Sequence, residues 1–228
     1  MHNEASEGQG WIAPGPKYIV EHLDELEEWC ILEYVHICET VKDENVIFTK
    51  FDKEFSTISK EHKPTCYQQP INQLREKFGW KRICLLDMKA KDVLTCDDKK
   101  NLDFLLFGGI LGNVPSDDRT SILRKCQFTL SRNLGDMQMT TNTAVLVCHI
   151  ILNNNVELDA IPFVDNPEIP LRNKKESMVL PFRFVSKYFF TKLEQDRHVP
   201  VLPRNFTEYL IRLGDQRLTD LDDFLSAP

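Results

Sequence analysis

The residues of this chain that could do chemistry gather in two stretches. The first is Gly108-Gly109-Ile110-Leu111-Gly112, which closes the apolar run Asp103–Phe107. Glycines at a strand end let a ligand approach the backbone, because no Cβ intervenes. A plain tight turn would use the same residues. The spacing is not GxGxxG and no GK[ST] follows, so neither the dinucleotide fingerprint nor the phosphate P-loop is present. The second stretch is LSRNLGDMQMTTNT, Leu130–Thr143. Its threonines open an apolar segment, and free amides at such a helix start can accept a carboxylate or another anion. Simple capping by Thr140 or Thr141 is the alternative there.

Carboxylates supply the other candidates. Asp165 and Glu168 flank Asn166-Pro167 just after an apolar run, and this pattern suits either a turn or a site. Asp97-Asp98 and Asp222-Asp223 read as solvated pairs or helix caps. Acyl transfer finds no support: GxSxG is absent, and Ser131 beside Arg132 has no His–Asp context. His2, His22, His36, His62, His149 and His198 are scattered, and none pairs with Cys or His at ligand intervals. No metal is therefore expected.

Elements of regular structure must position these groups. Lys17–Leu23, Val46–Thr49, Arg82–Met88, Asp103–Phe107 and Cys126–Leu130 read as strands, as do Ile161–Val164 and Met178–Val185, the last punctuated by Pro181. Helices are expected over Glu27 to Val41, about Ile71–Lys77, and from Arg119 to Lys125 behind a cap at Asp117 or Asp118. Short helices follow at Glu208–Leu213 and Leu218–Leu225. The helix from Thr140 to Leu152 is apolar on every side, so it must be buried on every side. Alternating strands and helices argue for an α/β fold with a mostly parallel sheet.

The chain has 228 residues, which suits a single domain over 17–228 behind a flexible extension at 1–16. That extension has no basic start or apolar stretch and does not read as a signal peptide. No run approaches the roughly 18–20 apolar residues that cross a bilayer, so no membrane association is expected. The seven cysteines form no CxxC pair. Reduced thiols and a cytoplasmic setting are expected. The net charge of −7 opposes stable binding to nucleic acid and favours a basic partner.

Several motifs then occur in a familiar order: FGGILG…DDRT at Phe107–Thr120, SRNLGDMQMTTNTA at Ser131–Ala144, KYIVEHL…EEWCILEY at Lys17–Tyr34, FVDNPE at Phe163–Glu168, PFRFV at Pro181–Val185 and PVLPRNFTEYLI at Pro200–Ile211. Together they resemble the SPOUT class of S-adenosylmethionine-dependent methyltransferases. Within it they are most similar to a small family, also described as RNA methyltransferases, whose yeast member methylates an arginine of a small-subunit ribosomal protein. The likeness runs from about Lys17 to Leu225 and is poorest over Lys50–Lys81.

The resemblance implies a SPOUT-type α/β sheet with a C-terminal trefoil knot, the knot region spanning about 103–155 and an appendage about 178–228. Knots are rare exceptions to chain topology. It also implies S-adenosylmethionine held by Gly108, Gly109, Gly112, Leu130, Leu134, Gly135, Met137 and Met139. The class loop carries Arg and Glu between its glycines, where this chain has Gly109 and Ile110-Leu111. An arginine acceptor is protonated below a pKa of about 12 and needs a carboxylate to orient it. Glu168 is the first candidate, with Asp118, Asp136, Glu33 and Glu21 behind it. Arg119 would order the loop or hold the substrate. The expected partner is a basic protein, a small-subunit ribosomal protein by resemblance, and the expected assembly is a monomer or homodimer. An RNA methyltransferase of the same fold is the rival, using Arg124, Lys125, Arg132 or Lys174-Lys175. A ribosome-associated binding protein without activity is the other.

Overall fold

The computed structural model describes residues 15–109, 120–171 and 177–214. The expected extension through residue 14, Gly112, Asp117, Asp118, Arg119, Lys174-Lys175 and the helix at Leu218–Leu225 lie outside the described residues.

Six strands form one parallel sheet: β1 (Lys17–His22), β2 (Val46–Thr49), β3 (Thr65–Cys66), β4 (Ile83–Leu86), β5 (Phe104–Gly109) and β6 (Leu130–Arg132), in the order β3-β2-β1-β5-β4-β6. Pairing of Lys17 with Phe104 and of His22 with Gly109 runs the whole length of β1 along β5. Successive side chains face opposite sides of a sheet. Tyr18, Val20, Val46, Phe48, Cys84, Leu105 and Phe107 accordingly join one core. Ile19, Ile47, Ile83, Leu85 and Leu106 join the other. Burial on both faces is why these strands read as unbroken apolar runs.

The first core is covered by α1 (Glu28–Val41) and, among the later helices, by α4 (Thr141–Asn154); the second receives Ile71 of α2 (Ile71–Phe78) and Leu123 of α3 (Thr120–Arg124). The expectation for α4 holds: Val145, Leu146, Val147, Cys148, Ile150, Ile151 and Leu152 are all buried. His149 breaks the apolar run and hydrogen-bonds its Nδ1 to the Tyr18 hydroxyl at 3.0 Å.

Three strand expectations are corrected. Residues 126–129 are not strand. Cys126 instead closes α3 by donating its N–H to the Leu123 carbonyl, and Gln127 takes a φ of 51° that strands do not use. The strand at 161–164 lies at β7 (Phe163–Asp165), followed by β8 (Glu168–Pro170). Met178–Val185 splits at Pro181 into β9 (Ser177–Val179) and β10 (Arg183–Val185), which pair antiparallel with β8 and β7 respectively. A proline lacks the N–H that a continuous ladder needs. A third core, built on Phe182, Phe184, Phe206 and Leu210, seals this region and a helix at 206–214 against Trp29 and Leu32 of α1.

Candidate functional site

A cavity of about 450 Å³ opens where β4, β5 and β6 end. Ligands of parallel α/β sheets bind at these carboxyl ends. Leu86, Asp87, Met88 and Lys89 continue β4 into one wall. Phe107 and Gly108 supply the second, with Thr120 of α3 beside them. The third is the loop after β6, with Asn133, Leu134, Gly135, Met137, Gln138 and Met139, and it runs into Thr140, Thr141 and Ala144 of α4. The volume lies within the range of small-molecule sites, and an apolar lining with few fixed polar groups is their usual character.

The loop after β6 is held by local bonds. Asn133 accepts the Gly135 N–H on Oδ1 at 2.9 Å and donates Nδ2 to the Ala90 carbonyl at 2.9 Å. Gly135 sits at φ +87°, where a side chain would strain the backbone. At the other wall, Arg124 donates twice to Asp87, Nε to Oδ2 at 2.6 Å and Nη2 to Oδ1 at 2.8 Å. Asp87 also accepts the Lys89 N–H at 3.0 Å, which folds the β4 loop over the cavity.

Of the residues expected to hold a ligand, Gly108, Leu134, Gly135, Met137 and Met139 line the cavity. Gly109 and Leu130 do not. A Cβ on Gly109 would meet the Tyr34 hydroxyl and stand 2.9 Å from Val20 Cγ1, so packing against α1 accounts for this glycine. Leu130 pairs with Cys84 and packs against the main core.

The carboxylates separate likewise. Glu168 lies exposed on β8 and accepts the Ser177 hydroxyl, away from the residues that line the cavity. Asp136 is exposed and outside that lining as well. Asp165 is engaged by Arg183, at 2.7 and 2.8 Å, which holds its carboxyl below the usual range. Glu21 accepts the Thr49 hydroxyl and, at 2.9 Å, the Ile71 N–H, so it fastens α2 to the sheet.

Glu33 is different. It is only 6% exposed and accepts the Trp29 indole N–H at 2.5 Å. The backbone amides of Thr141 and Asn142 and the Thr141 side chain lie toward its carboxyl and favour the charged form. A buried acid therefore sits against the start of α4 where α4 meets the cavity, and Thr141 donates its hydroxyl to the Gly108 carbonyl at 3.5 Å. Burial pushes the Glu33 carboxyl up to about 7, against the lowering pull of Trp29 and of the polar groups at the start of α4.

The residues that sequence reasoning missed are Leu86–Lys89, Phe107, Thr120 and Ala144, whereas Asn133, Gln138, Thr140 and Thr141 fall inside the stretch it singled out. The strand-end rule applies equally to β4. It could not be used there because nothing in the sequence reveals that β4 lies between β5 and β6. Among the described residues no helix is long and apolar enough to cross a membrane.

Comparison with known proteins bears on this geometry. The family model for "Protein arginine N-methyltransferase SFM1-like" matches residues 17–216. The chain is 34% identical over 223 residues to protein arginine N-methyltransferase SFM1 of Saccharomyces cerevisiae, covering 90% of this chain and 99% of the yeast protein. The crystal structure of the yeast arginine methyltransferase SFM1 complexed with SAH is similar with a TM-score of 0.75 at 32% identity, over 85% of this chain and 93% of that one. The complex of the yeast enzyme with SAM gives a TM-score of 0.75 at 30% identity, over 88% and 92%. With the motifs in order and the cavity walled by them, the chain belongs to the SFM1-like protein arginine N-methyltransferase family.

Proposed function

We propose that this protein transfers the methyl group of S-adenosylmethionine to an arginine side chain of a basic protein, with the cofactor seated in the cavity at the ends of β4, β5 and β6. The observation that carries this reading is the cavity itself. Its walls include Gly108 and the loop after β6, in a chain that covers 99% of the yeast enzyme at 34% identity.

The residues present fit the cofactor. Leu86, Phe107, Leu134, Met137, Met139 and Ala144 offer an apolar slot for a flat base. Backbone groups beside Gly108 and Gly135 remain approachable because neither residue carries a side chain. The cofactor supplies a methyl group on a sulfonium, ready for in-line displacement. The chain's part is to position donor and acceptor and to stabilise the shifting charge. Asp87, fixed by Arg124, and Glu33, behind Thr141, are the carboxylates that brace this space; Asp118 and Arg119 remain proposed for the guanidinium, with Glu168 and Asp136 as outer candidates.

A protein acceptor is supported by two features. Arg124 and Arg132, basic residues that a nucleic-acid surface would use, are each engaged by a carboxylate, Asp87 and Asp98 respectively. The segment after β1 carries Asp24, Glu25, Glu27 and Glu28, and its Leu23 N–H bonds the Gly109 carbonyl at 3.0 Å beside the cavity. Acidic residues at that place suit a basic substrate. A small-subunit ribosomal protein in the cytoplasm is the proposed acceptor, and seven free thiols suit that reducing compartment. We further propose the trefoil knot over 103–155; the burial of α4 directly behind the cavity loop supports it.

The test uses methyl-labelled S-adenosylmethionine and undermodified small ribosomal subunits, with protein and RNA separated afterwards. Label in a protein band, retained as methylarginine after hydrolysis, is the expected result. Label in RNA would overturn the protein acceptor. No label together with no cofactor binding by calorimetry would overturn the enzyme.

A further inference from the structure

The end of α1 and the segment before β3 bring together three side chains that methyl transfer does not use. Cys38 is buried in the last turn of α1. Asp43 stands in the single turn that follows. His62 belongs to the loop that leads into β3. One ligand-type atom of each, a thiol sulfur, a carboxylate oxygen and a ring nitrogen, lies within 4.8 Å of the other two.

The carboxylate is already oriented. Its Oδ2 accepts the Lys63 N–H at 2.6 Å, while Oδ1 stands 2.9 Å from His62 Nδ1. Both side chains are partly sheltered, at 28% and 14% exposure. Sulfur, imidazole and carboxylate in one set are the donors zinc takes, at bond lengths of about 2.0–2.3 Å. Donor atoms around such an ion stand roughly 3.3–3.7 Å apart, so small side-chain rotations bring these three to bonding distance. Interval counting misses the group because its members sit in three different segments.

We propose that Cys38, Asp43 and His62 form a divalent metal site of the zinc type, which fastens the loop between β2 and β3 onto α1. The loop gives the site a purpose. From Lys50 to Pro64 its regular structure is one short turn at Phe55–Thr57. Phe51 and Phe55 anchor its first part in the main core, whereas residues 56–64 bury no side chain fully and have nothing else of that kind to hold them. Metal binding contributes folding free energy directly. On binding, the Cys38 thiol gives its proton to solvent and its sulfur lone pair to the ion, and no oxidation state changes. The Asp43–His62 hydrogen bond is replaced by two bonds to the metal. This site is separate from the cavity, so its test does not depend on the methyl-transfer reading.

The full chain, stripped with a chelator, is titrated with cobalt(II) as a spectroscopic stand-in. One equivalent should bind with a near-ultraviolet thiolate-to-cobalt charge-transfer band and the visible bands of a tetrahedral ion, all displaced by zinc. Cys38→Ser should abolish the charge-transfer band. His62→Ala, a change at the edge of the fold, should weaken cobalt binding at least about tenfold while circular dichroism stays unchanged. It carries the test if the buried serine fails to fold. Absence of a charge-transfer band, or a band and affinity unaltered in His62→Ala, would leave an Asp43–His62 hydrogen bond only and overturn the proposal.

Discussion

Glu33→Gln isolates the one buried acid that joins α1 to the wall of the cavity. The wild-type carboxyl titrates near 7 in the folded chain, raised from an ordinary 4.5. Between those values the folded state holds a proton that the unfolded chain has lost. Stability from this group is therefore full below pH 4.5 and is lost as pH rises through about 7. The gap is worth about 3 kcal/mol, at roughly 1.4 kcal/mol per pH unit. Glutamine keeps one oxygen for the Trp29 indole or the α4 amides but cannot ionise. Relative to wild type, the Glu33→Gln protein should gain about 3 kcal/mol between about pH 4.5 and pH 8. Urea unfolding followed by far-ultraviolet circular dichroism at a series of pH values measures it. Two stability profiles that run parallel within about 0.5 kcal/mol would show that Glu33 does not titrate in this window, and that burial does not set its protonation.

Other substitutions probe the walls. Gly109→Ala places a methyl against the Tyr34 hydroxyl and Val20, and should cost about 1–3 kcal/mol in denaturant unfolding; a neutral change would mean that α1 yields freely. Gly135→Ala meets no neighbour but takes a φ of +87°, so a loss of about 1–2 kcal/mol with weakened cofactor binding is expected. Calorimetry showing undiminished affinity would detach that loop from the site. Ala144→Phe should fill the cavity and lower S-adenosylmethionine affinity at least about tenfold with little loss of stability; unchanged affinity would move the cofactor elsewhere. Asp87→Asn breaks the paired bonds from Arg124 and should cost about 1–3 kcal/mol, read as a lower thermal midpoint. An unchanged midpoint would make that ion pair ornamental.

Much of the sheet was legible because burial on both faces leaves long apolar runs. Lys17–His22, Val46–Thr49 and Phe104–Phe107 announce themselves by composition, whereas the strand continues through Gly108 and Gly109, which read as a loop. Short edge elements do not: β3 has two residues and pairs with β2 alone, so neither length nor an apolar run marks it. The loop Leu134–Met139 was found through its motif, and it lines the cavity. Leu86–Lys89 carry no motif and became part of the site only through strand order. Glu168 has the sequence context of a site residue, yet its carboxylate serves a surface hairpin with Ser177. Glu33 looks like one more acid on an amphipathic helix. Its burial depends on α4, more than 100 positions later, arriving with its amides exposed.

The third core has a consequence for how the chain acquires its shape during synthesis. Trp29 lies on the first helix, and its ring meets Phe206 edge-on at 4.8 Å. β1, the first strand among the described residues, pairs on one side with β5, some 80 residues downstream. A nascent chain can close neither contact locally, so it leaves the ribosome with the apolar face of α1 and one edge of β1 uncovered. Order completes from the far end of the chain backward, at the cost of slow, non-local closure. Until Phe182 and Phe206 emerge, Trp29 lacks the rings that cover it. Its fluorescence would therefore mark the moment when translation hands the finished fold to the cell.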